Sequence, residues 1–363
     1  MYMITFLASA VYLLTSYNLS LSFHPFIYNI CYMKPTLYMA PVLGITGWVY
    51  RNAYSRFFGG YDFAITPFIK SSKGRPSTLW DIRPENNDVR FNIVPQVLDR
   101  DADNFVPLAR SIFDLGYDTV NWNLGCPLPM VRKKGRGSGM LPLPHEIVSF
   151  LEKVMPNMPN KLSIKVRLGS ESATDLVKLL PLLNDVPLKE IIIHPRTGKQ
   201  MYTGEVDLDA FEDAISVTKH KIVYSGDINS VKTFKMLSER FSSVSGWMLG
   251  RGGITNPFLP EEIKGFPQST DQEKLDRFLA FHDEVFLGYQ KELSGPGHLI
   301  GKMKEVWRYW ADAFEGGNRL LFKITRTKTA EKYRATVSDF FGKKPKLRIE
   351  MNGLKLKKLS IQP

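Results

Sequence analysis

Eight short and nearly continuous apolar runs recur along the first two thirds of the chain. They cover residues 37–42, 63–69, 91–98, 119–123, 162–168, 190–195, 221–226 and 246–250. Continuous runs, as opposed to strictly alternating ones, are typical of parallel strands that are covered on the outside by helices. The pattern therefore predicts eight strands of a parallel sheet.

Segments with the apolar spacing of helices lie between these runs. They cover residues 106–115, 147–154, 175–183, 208–217 and 231–241. Eight strands that each lead to a helix, over about 220 residues, predict an α/β fold of the TIM (β/α)8 barrel type. A doubly wound open sheet is the alternative, but it needs a G-x-G-x-x-G fingerprint after the first strand. The segment "APVLGITG" does not supply one.

The composition changes after residue 265 to aromatic and basic helical segments. Helices are predicted over 271–290 and 299–314, separated by the breaker "SGPGH". We therefore divide the folded chain into a barrel (34–265), a small C-terminal helical domain (266–341) and a basic tail (342–363). We expect part of that tail to be disordered.

Positive charge is concentrated at the same end of the chain. The last 63 residues hold 16 Lys and Arg against 6 Asp and Glu, which is most of the net charge of +12. Such a field attracts polyanions, so nucleic acid and anionic membrane surfaces are the natural partners. The alternative is a solvated basic tail that keeps the protein soluble.

The first 33 residues contain no Asp, Glu, Lys or Arg. Their longest apolar run, residues 4–14, is about half the roughly 20 residues that a spanning helix needs. A signal peptide would need a basic start, which this segment lacks. We expect residues 1–33 to be an apolar extension outside the fold. Translation from Met33 is favoured over a weak membrane anchor.

The chain has two cysteines, Cys31 and Cys126, and six scattered histidines. Two cysteines cannot form a disulfide framework or a Cys-rich zinc site, and no His/Cys cluster has metal-ligand spacing. We therefore predict a reducing, cytoplasmic setting and no metal.

Polar residues cluster at the carboxyl ends of the predicted strands, where TIM barrels carry their active sites. The glycine-containing turns "SGDINS" and "LGRGGITNP" follow the seventh and eighth strands and predict a phosphate site. Lys165 and His194 project from neighbouring predicted strands, and a cation there suits a reduced flavin. Each residue has an alternative interpretation when taken singly: Lys165 as a lysine whose ammonium group reaches solvent, and His194 as a hydrogen-bonded histidine of the core.

Cys126 lies in "NWNLGCPLP" (121–129), at the end of the fourth predicted strand. The prolines that follow keep the loop rigid, and "MVRKKGRGSGM" (130–140) adds four basic residues. We expect the thiol to face the barrel mouth instead of filling the core. The neighbouring charges favour a thiolate. At this point a nucleophile, a proton donor and a buried apolar cysteine remain alternatives.

Five segments in order resemble the tRNA-dihydrouridine synthase family, over roughly residues 37–341. They are "APVLGITGWVYR", "VPQVL", "NWNLGCPLPMVRKKGRGSGML", "IKVRLG" with "IIHPRTGKQMYTGEVDLDAF", and "YSGDINS" with "GWMLGRGGITNPFL". The N-x-G-C-P motif followed by Gly137 and Ser138 is quite specific, and the order of all five is more so. Val42, Pro67 and Met130 depart from the family's usual residues, which leaves the target uridine open.

The resemblance implies a barrel that holds FMN, reduced by NADPH, and a helical domain that grips tRNA. It implies hydride transfer to C6 of a target uracil and a proton from Cys126 to C5. The implied FMN contacts are Pro41, Val42, Leu43, Gln96, Lys165, His194, Ser225, Gly226, Asp227, Gly250 and Arg251. Asn123 and Arg196 are expected to address the uridine. Lys133, Lys134, Arg136, Arg308, Lys323 and Arg326 are expected to contact the tRNA.

Several alternatives accompany this prediction. A small-molecule flavin dehydrogenase of the dihydroorotate dehydrogenase type would account for the barrel but not for the basic tail. A non-catalytic RNA-binding barrel is a third hypothesis. Trp307 and Trp310 suit either an RNA-facing surface or a core. We expect a monomer with no stable protein partner. We also expect bound tRNA phosphate to screen the basic loop, so that Cys126 keeps its proton.

Overall fold

The computed structural model describes residues 34–70 and 76–348. The predictions for residues 1–33 and for 349–363 of the tail therefore lie outside the described residues. Ten strands form one sheet. They are β1 (Leu37–Met39), β2 (Phe63–Ile65), β3 (Ile69–Lys70), β4 (Asn92–Val94), β5 (Gln96–Leu98), β6 (Thr119–Leu124), β7 (Lys161–Gly169), β8 (Ile191–Thr197), β9 (Ile222–Ser225) and β10 (Gly246–Leu249).

Every pairing in this sheet is parallel, in the order β3-β5-β6-β7-β8-β9-β10-β1-β2-β4. Its two ends belong to the same stretches of chain, because residues 63–70 supply β2 and β3 and residues 92–98 supply β4 and β5. Two hydrogen bonds join the first of these stretches to the second. The Thr66 N–H donates to the Val94 carbonyl, and the Gln96 N–H donates to the Thr66 hydroxyl, both at 3.1 Å. The sheet therefore closes on itself, and the predicted TIM barrel is confirmed.

Two of the eight predicted strands are broken into shorter pieces. Pro67 lies in the gap between β2 and β3, and Pro95 lies between β4 and β5. Proline has no N–H to donate to a neighbouring strand, so a ladder is interrupted where it stands.

Nine helices among the described residues accompany the barrel strands. They are α1 (Trp48–Phe57), α2 (Ala102–Asp114), α3 (Pro129–Arg132), α4 (Pro144–Val154), α5 (Asp175–Leu183), α6 (Leu208–Ser216), α7 (Val231–Arg240), α8 (Arg251–Thr255) and α9 (Leu259–Ile263). The five predicted helices correspond to α2 and α4–α7. Helix α2 begins before the predicted residue 106, because the Asp101 side chain caps it by accepting from the Asp103 N–H at 3.0 Å.

Alternate residues of the strands point into the barrel, where an apolar layer closes its lower part. It consists of Tyr38, Ala40, Ile65, Val94, Ile192, Val223 and Met248. The opposite faces of the strands pack on the helices, as Trp122 of β6 stacks on Phe150 of α4 with 4.0 Å between ring centroids. A polar layer lies above the apolar one, at the carboxyl ends of the strands.

Four helices follow the barrel: α10 (Asp271–Glu292), α11 (Pro296–Trp310), α12 (Gly317–Thr325) and α13 (Ala330–Gly342). The predicted helices 271–290 and 299–314 correspond to α10 and α11, with residues 311–313 forming a 3₁₀ turn. Trp307 and Trp310 are fully buried, and the Trp307 indole N–H donates to the Tyr333 hydroxyl at 2.7 Å. These tryptophans therefore belong to the core and not to an RNA-facing surface.

The C-terminal helices share a core with the barrel. The Tyr50 ring of α1 meets the edge of Phe281 on α10 at 5.5 Å between centroids, and the described residues from Pro35 onward form one compact unit. A domain boundary at residue 265 stays a prediction. Within the described residues, no helix combines the length and the apolarity that crossing a membrane requires.

Candidate active site

The polar layer of the barrel is built largely from two adjacent strands. Asn121 and Asn123 alternate along β6, and Ser163, Lys165 and Arg167 alternate along β7. In the register of these strands Asn121 lies beside Ser163 and Asn123 beside Lys165. Because side chains alternate between the two faces of a strand, this spacing brings all five to the inside of the barrel. The candidate site therefore begins as a ladder of polar side chains at the carboxyl ends of β6 and β7.

Cys126 lies two residues after the end of β6, at the top of this ladder. Its backbone N–H donates to Oδ1 of Asn123 at 2.8 Å. The residue is only 7% exposed and packs with Leu98 and Val131 in a small apolar cluster. Cys126 is therefore largely enclosed, in a cluster separate from the main core, and the expectation that its thiol faces the barrel mouth stays a prediction.

Gly137 and Ser138 fix the other side of Cys126. The Ser138 N–H and hydroxyl both donate to the Cys126 carbonyl, at 3.1 and 3.0 Å. Gly137 has φ +57°, and a Cβ placed on it would lie 2.8 Å from both Cβ and the carbonyl oxygen of Cys126. Glycine is therefore required here both for the left-handed backbone and for the close approach. The eleven-residue spacing of the motif is explained by this contact.

Arg167 is a part of the site that the sequence analysis did not assign. Its Nε donates to the Gly125 carbonyl at 3.0 Å, and its Nη1 donates to the carbonyls of Thr197 and Met201 at 2.9 and 2.6 Å. The guanidinium is buried and thus joins the cysteine loop to the end of β8. Tyr202, 42% exposed, lies over it with 5.2 Å between the guanidinium carbon and the ring centroid. The alternation S-x-K-x-R in β7 was the signal that could have identified Arg167.

Burial raises the pKa of the Cys126 thiol above its ordinary value. A hydrogen bond from the Leu128 backbone and the positive charges of Arg167, Lys70 and Lys165 act in the opposite direction, and they are the smaller effects. The thiol therefore holds its proton at neutral pH, which suits a proton donor and not a resting thiolate nucleophile.

The cations that lower the pKa of the Cys126 thiol are not those of the basic loop (130–140). Lys133 and Lys134 are exposed, and Arg136 forms an ion pair with the buried Asp99 at 3.4 Å. The charges that reach Cys126 come from β3 and β7 instead. Burial is the largest influence on the thiol in the free protein, and the screening of this loop by tRNA phosphate stays a prediction.

Lys165 is a partly buried cation without a partner. Within the described ranges no residue hydrogen-bonds or ion-pairs with its ammonium group. Burial, together with the positive charge of Arg167, lowers the pKa of Lys165 to about 7. A side chain in this state gains most from a ligand that brings negative charge or hydrogen-bond acceptors.

His194, Arg196, Asp227 and Arg251 form one connected group at the ends of β8, β9 and β10. The Asp227 carboxylate accepts hydrogen bonds from both guanidinium groups. Its bond with Arg196 is bidentate, and Arg251 donates to it at 2.9 Å. Burial and the surrounding cations lower the pKa of His194 well below its ordinary value, so its ring is neutral. Because Nη1 of Arg196 donates to Nε2 of His194 at 3.0 Å, the ring proton must lie on Nδ1. His194 thus offers one N–H donor.

The group is also incompletely satisfied. Nε of Arg196 is buried and has no hydrogen-bond partner among the described residues. Asp227, by contrast, is occupied by two arginines, so its carboxylate holds the site together. Gly250 is open: the nearest atom to a Cβ placed on it would be that of Ala40, at 3.7 Å.

The other predicted cofactor contacts lie at the same end of the barrel. Pro41 and Val42 are partly buried and Leu43 is 57% exposed, on the turn after β1. Ser225 and Gly226 are buried at the end of β9. Gln96 is fully buried, and its amide bonds to Asn121 and Asn123 at 2.7 Å each. The structure therefore brings these predicted residues to one end of the barrel, and it joins His194, Arg196, Asp227 and Arg251 into one connected group.

The predicted tRNA contacts divide into two places. Lys133 and Lys134 lie on the loop near Cys126, whereas Arg308, Lys323 and Arg326 are exposed on the C-terminal helices or just after them. Phe322, which the sequence analysis did not single out, is 56% exposed beside them. Within residues 34–70 and 76–348, no three His, Cys, Asp or Glu side chains converge as ligands of a metal ion would.

These observations define a TIM-barrel protein. At the carboxyl ends of its strands it carries a protonated, buried thiol and a group of cations with unsatisfied hydrogen-bond donors. The dihydrouridine synthase family model matches residues 38–351. Because this match spans most of the 363 residues, the chain belongs to the dihydrouridine synthase family. The family prediction made from the five sequence segments is confirmed, and with it the prediction of an oxidoreductase that acts on a CH–CH bond.

Individual relatives are similar over most of their lengths. The probable tRNA-dihydrouridine synthase 2 of Bacillus subtilis is 24% identical over 324 residues, which cover 85% of this chain and 94% of that protein. The tRNA-dihydrouridine(16) synthase of Neisseria meningitidis serogroup A is 23% identical over 321 residues, covering 85% and 95%.

Among solved structures, an old yellow enzyme homologue from Zymomonas mobilis matches with a TM-score of 0.48 and 13% identity, over 65% of this chain and 90% of that one. Morphinone reductase matches with a TM-score of 0.47 and 11% identity, over 65% and 87%.

Proposed function

We propose that this protein is an FMN-dependent tRNA-dihydrouridine synthase that reduces the C5–C6 bond of a uridine in tRNA, with the D-loop as the expected target. The observation that carries the proposal is Cys126. A cysteine at the end of a barrel strand, kept protonated by burial and held in place on both sides of its backbone, is suited to donating a proton. Family membership and the similar relatives support the substrate class.

The residues present fit an FMN. An anionic, acceptor-rich ligand would satisfy the unpaired Lys165 ammonium and the buried Arg196 Nε, and the open backbone at Gly250 leaves room for close approach. We propose that Pro41, Val42, Leu43, Gln96, Lys165, His194, Ser225, Gly226, Gly250 and Arg251 hold the cofactor. A bound FMN, reduced by NADPH, supplies the hydride for C6. We propose that Asp227 acts by orienting the arginines on either side of it.

The protein's own contribution is orientation and proton delivery. We propose that Cys126 donates its proton to C5 of a uracil flipped out of the tRNA, and that Asn123 orients the ring with its second amide N–H. Arg196 is committed to Asp227 and His194, so its remaining Nε–H is the group left for the ligand or the uridine.

Dihydrouridine mapping in tRNA tests the proposed function. We expect cells that lack this protein to lose dihydrouridine at one or more tRNA positions, and we expect the purified protein to restore it in vitro with FMN and NADPH. Survival of every dihydrouridine, in cells with no redundant enzyme, would contradict the proposal. A dehydrogenase of the dihydroorotate type is disfavoured by family membership. A barrel that only binds RNA would restore nothing.

We propose that the outer face of α12 and the turn after it contact the tRNA. Arg319, Lys323, Arg326 and Lys328 are exposed there, and none forms an ion pair with another described residue. The Arg326 guanidinium carbon lies 3.8 Å from the centroid of the exposed Phe322 ring. Free cations bind phosphates, and an exposed aromatic ring capped by arginine offers a surface on which a base can stack.

Phe322→Ala should weaken tRNA binding roughly five- to hundredfold, because base–aromatic stacking contributes about 1–3 kcal/mol per base. Phe322→Trp should retain binding. Met236→Ala is the matched control, since Met236 is 54% exposed on α7 and carries no predicted tRNA contact. Filter binding at several salt concentrations measures the effect. Equal affinities for Phe322→Ala and Met236→Ala would show that this face does not bind the tRNA.

A further inference from the structure

A continuous chain of hydrogen bonds runs through the polar layer of the barrel and ends on Cys126. Nδ2 of Asn121 donates to the Ser163 hydroxyl at 2.8 Å, and Nε2 of Gln96 donates to Oδ1 of Asn121 at 2.7 Å. Nδ2 of Asn123 in turn donates to Oε1 of Gln96 at 2.7 Å. Oδ1 of Asn123 finally accepts the Cys126 N–H at 2.8 Å.

The donor and acceptor roles in this series of hydrogen bonds are all fixed by the end at Cys126. The backbone N–H groups of Gly125 and Cys126 can only donate, so Asn123 must turn its oxygen toward them. Its NH₂ group then faces Gln96, which must present its own oxygen. The same logic fixes the amide of Asn121. None of the three amides can flip without breaking a bond to the next.

The chain is also shielded from water. Gln96, Asn121 and Ser163 are fully buried, and Asn123 is 7% exposed. A buried donor or acceptor that loses its partner is costly because water cannot replace it. A disturbance at Ser163 is therefore passed on along the amides and not absorbed locally.

We propose that Asn121 and Ser163 are positioning residues that hold the amides of Gln96 and Asn123 in one orientation and thereby fix the backbone of Cys126. They lie one and two steps below Gln96 and form no bond to Cys126 themselves. The proposal rests on the proposed function only for its biological meaning. The position of the thiol can be measured without tRNA, FMN or NADPH.

The test measures the reactivity of Cys126 toward iodoacetamide as a function of pH, in a Cys31→Ser background so that one thiol remains. Ser163→Ala should raise the alkylation rate about tenfold and lower the apparent pKa of the thiol, because a loosened loop admits water. Asn121→Ala, which interrupts the chain closer to Cys126, should have at least as large an effect. Ser163→Thr, which keeps a hydroxyl, should restore the wild-type profile.

Ser55→Ala is the matched control. Ser55 is also buried, and its hydroxyl accepts one hydrogen bond from the Arg90 backbone N–H at 2.8 Å. It takes no part in the hydrogen bonds that lead to Cys126. We expect it to lower the melting temperature without changing the alkylation profile. If Ser163→Ala and Asn121→Ala lower the melting temperature but leave the profile like that of Ser55→Ala, their role is structural only and the proposal is wrong. Absence of dihydrouridine activity in the wild-type protein would refute the proposed function, and this assay would be unaffected.

Discussion

Cys126→Ala is expected to abolish dihydrouridine formation on native tRNA while flavin remains bound. General acid catalysis by a positioned side chain contributes roughly 10²- to 10⁴-fold, and no described neighbour offers a second thiol. We therefore expect a loss of at least about 100-fold in the rate of uridine reduction. Reduction of the flavin by NADPH should be nearly unchanged, because the proton donor acts only on the uracil. Single-turnover assays of the two half-reactions separate these effects.

The matched control is Cys31→Ser, which changes the chain's other cysteine and should retain activity. Cys126→Ser should stay nearly inactive, since a hydroxyl is a much weaker acid than a thiol. Full activity of Cys126→Ala on native tRNA would refute the role of proton donor.

The pH dependence of the same step follows from the state of the thiol. Burial raises the pKa of Cys126, so the protonated, active form predominates at neutral pH. A general acid works only while protonated, so the rate should fall as the pH rises through the thiol pKa. A profile that places this pKa near or below 7 in the tRNA complex would contradict the burial argument.

The barrel could be predicted from the sequence because each of its strands coincides with a local run of apolar residues. Each of the eight runs became a strand or a pair of strands, and the prolines that broke two of them, Pro67 and Pro95, were visible in the chain. The cores of the C-terminal helices were harder to anticipate. Trp307 and Trp310 are separated from Tyr333 by a turn and another helix, and only packing decides that these tryptophans face inward.

The site was predictable residue by residue but not in its connections. Asn123 and Gln96 were expected as separate ligand contacts, whereas they bond to each other through a register that no local pattern reveals. Asn121 and Ser163 were missed although their alternation with apolar neighbours was a signal of inward-facing positions. The backbone of Cys126 is held by Gly137 and Ser138, eleven and twelve residues further along the chain, and this long-range contact could not be derived from the local sequence.

Lys165→Met is expected to weaken FMN binding roughly ten- to hundredfold, because a charge-assisted hydrogen bond contributes about 1.5–3 kcal/mol. The wild-type affinity should also depend on pH in a defined sense. In the free protein the pKa of Lys165 is about 7, so the side chain loses its proton as the pH rises above that value. A ligand that needs the ammonium must then return the proton, and its affinity falls by up to about tenfold per pH unit.

Two variants isolate this effect. Lys165→Met should bind weakly with no pH dependence between 7 and about 9, and Lys165→Arg should bind with none either, because arginine stays charged throughout. Lys189→Met is the matched control, since its ammonium bonds to the Thr119 hydroxyl at 3.2 Å near the opposite end of the barrel. Fluorescence titration of FMN at each pH measures all four proteins. An affinity that is flat with pH in the wild type, or unchanged in Lys165→Met, would exclude Lys165 from the cofactor site, and the unpaired ammonium would then have to serve a different anionic ligand.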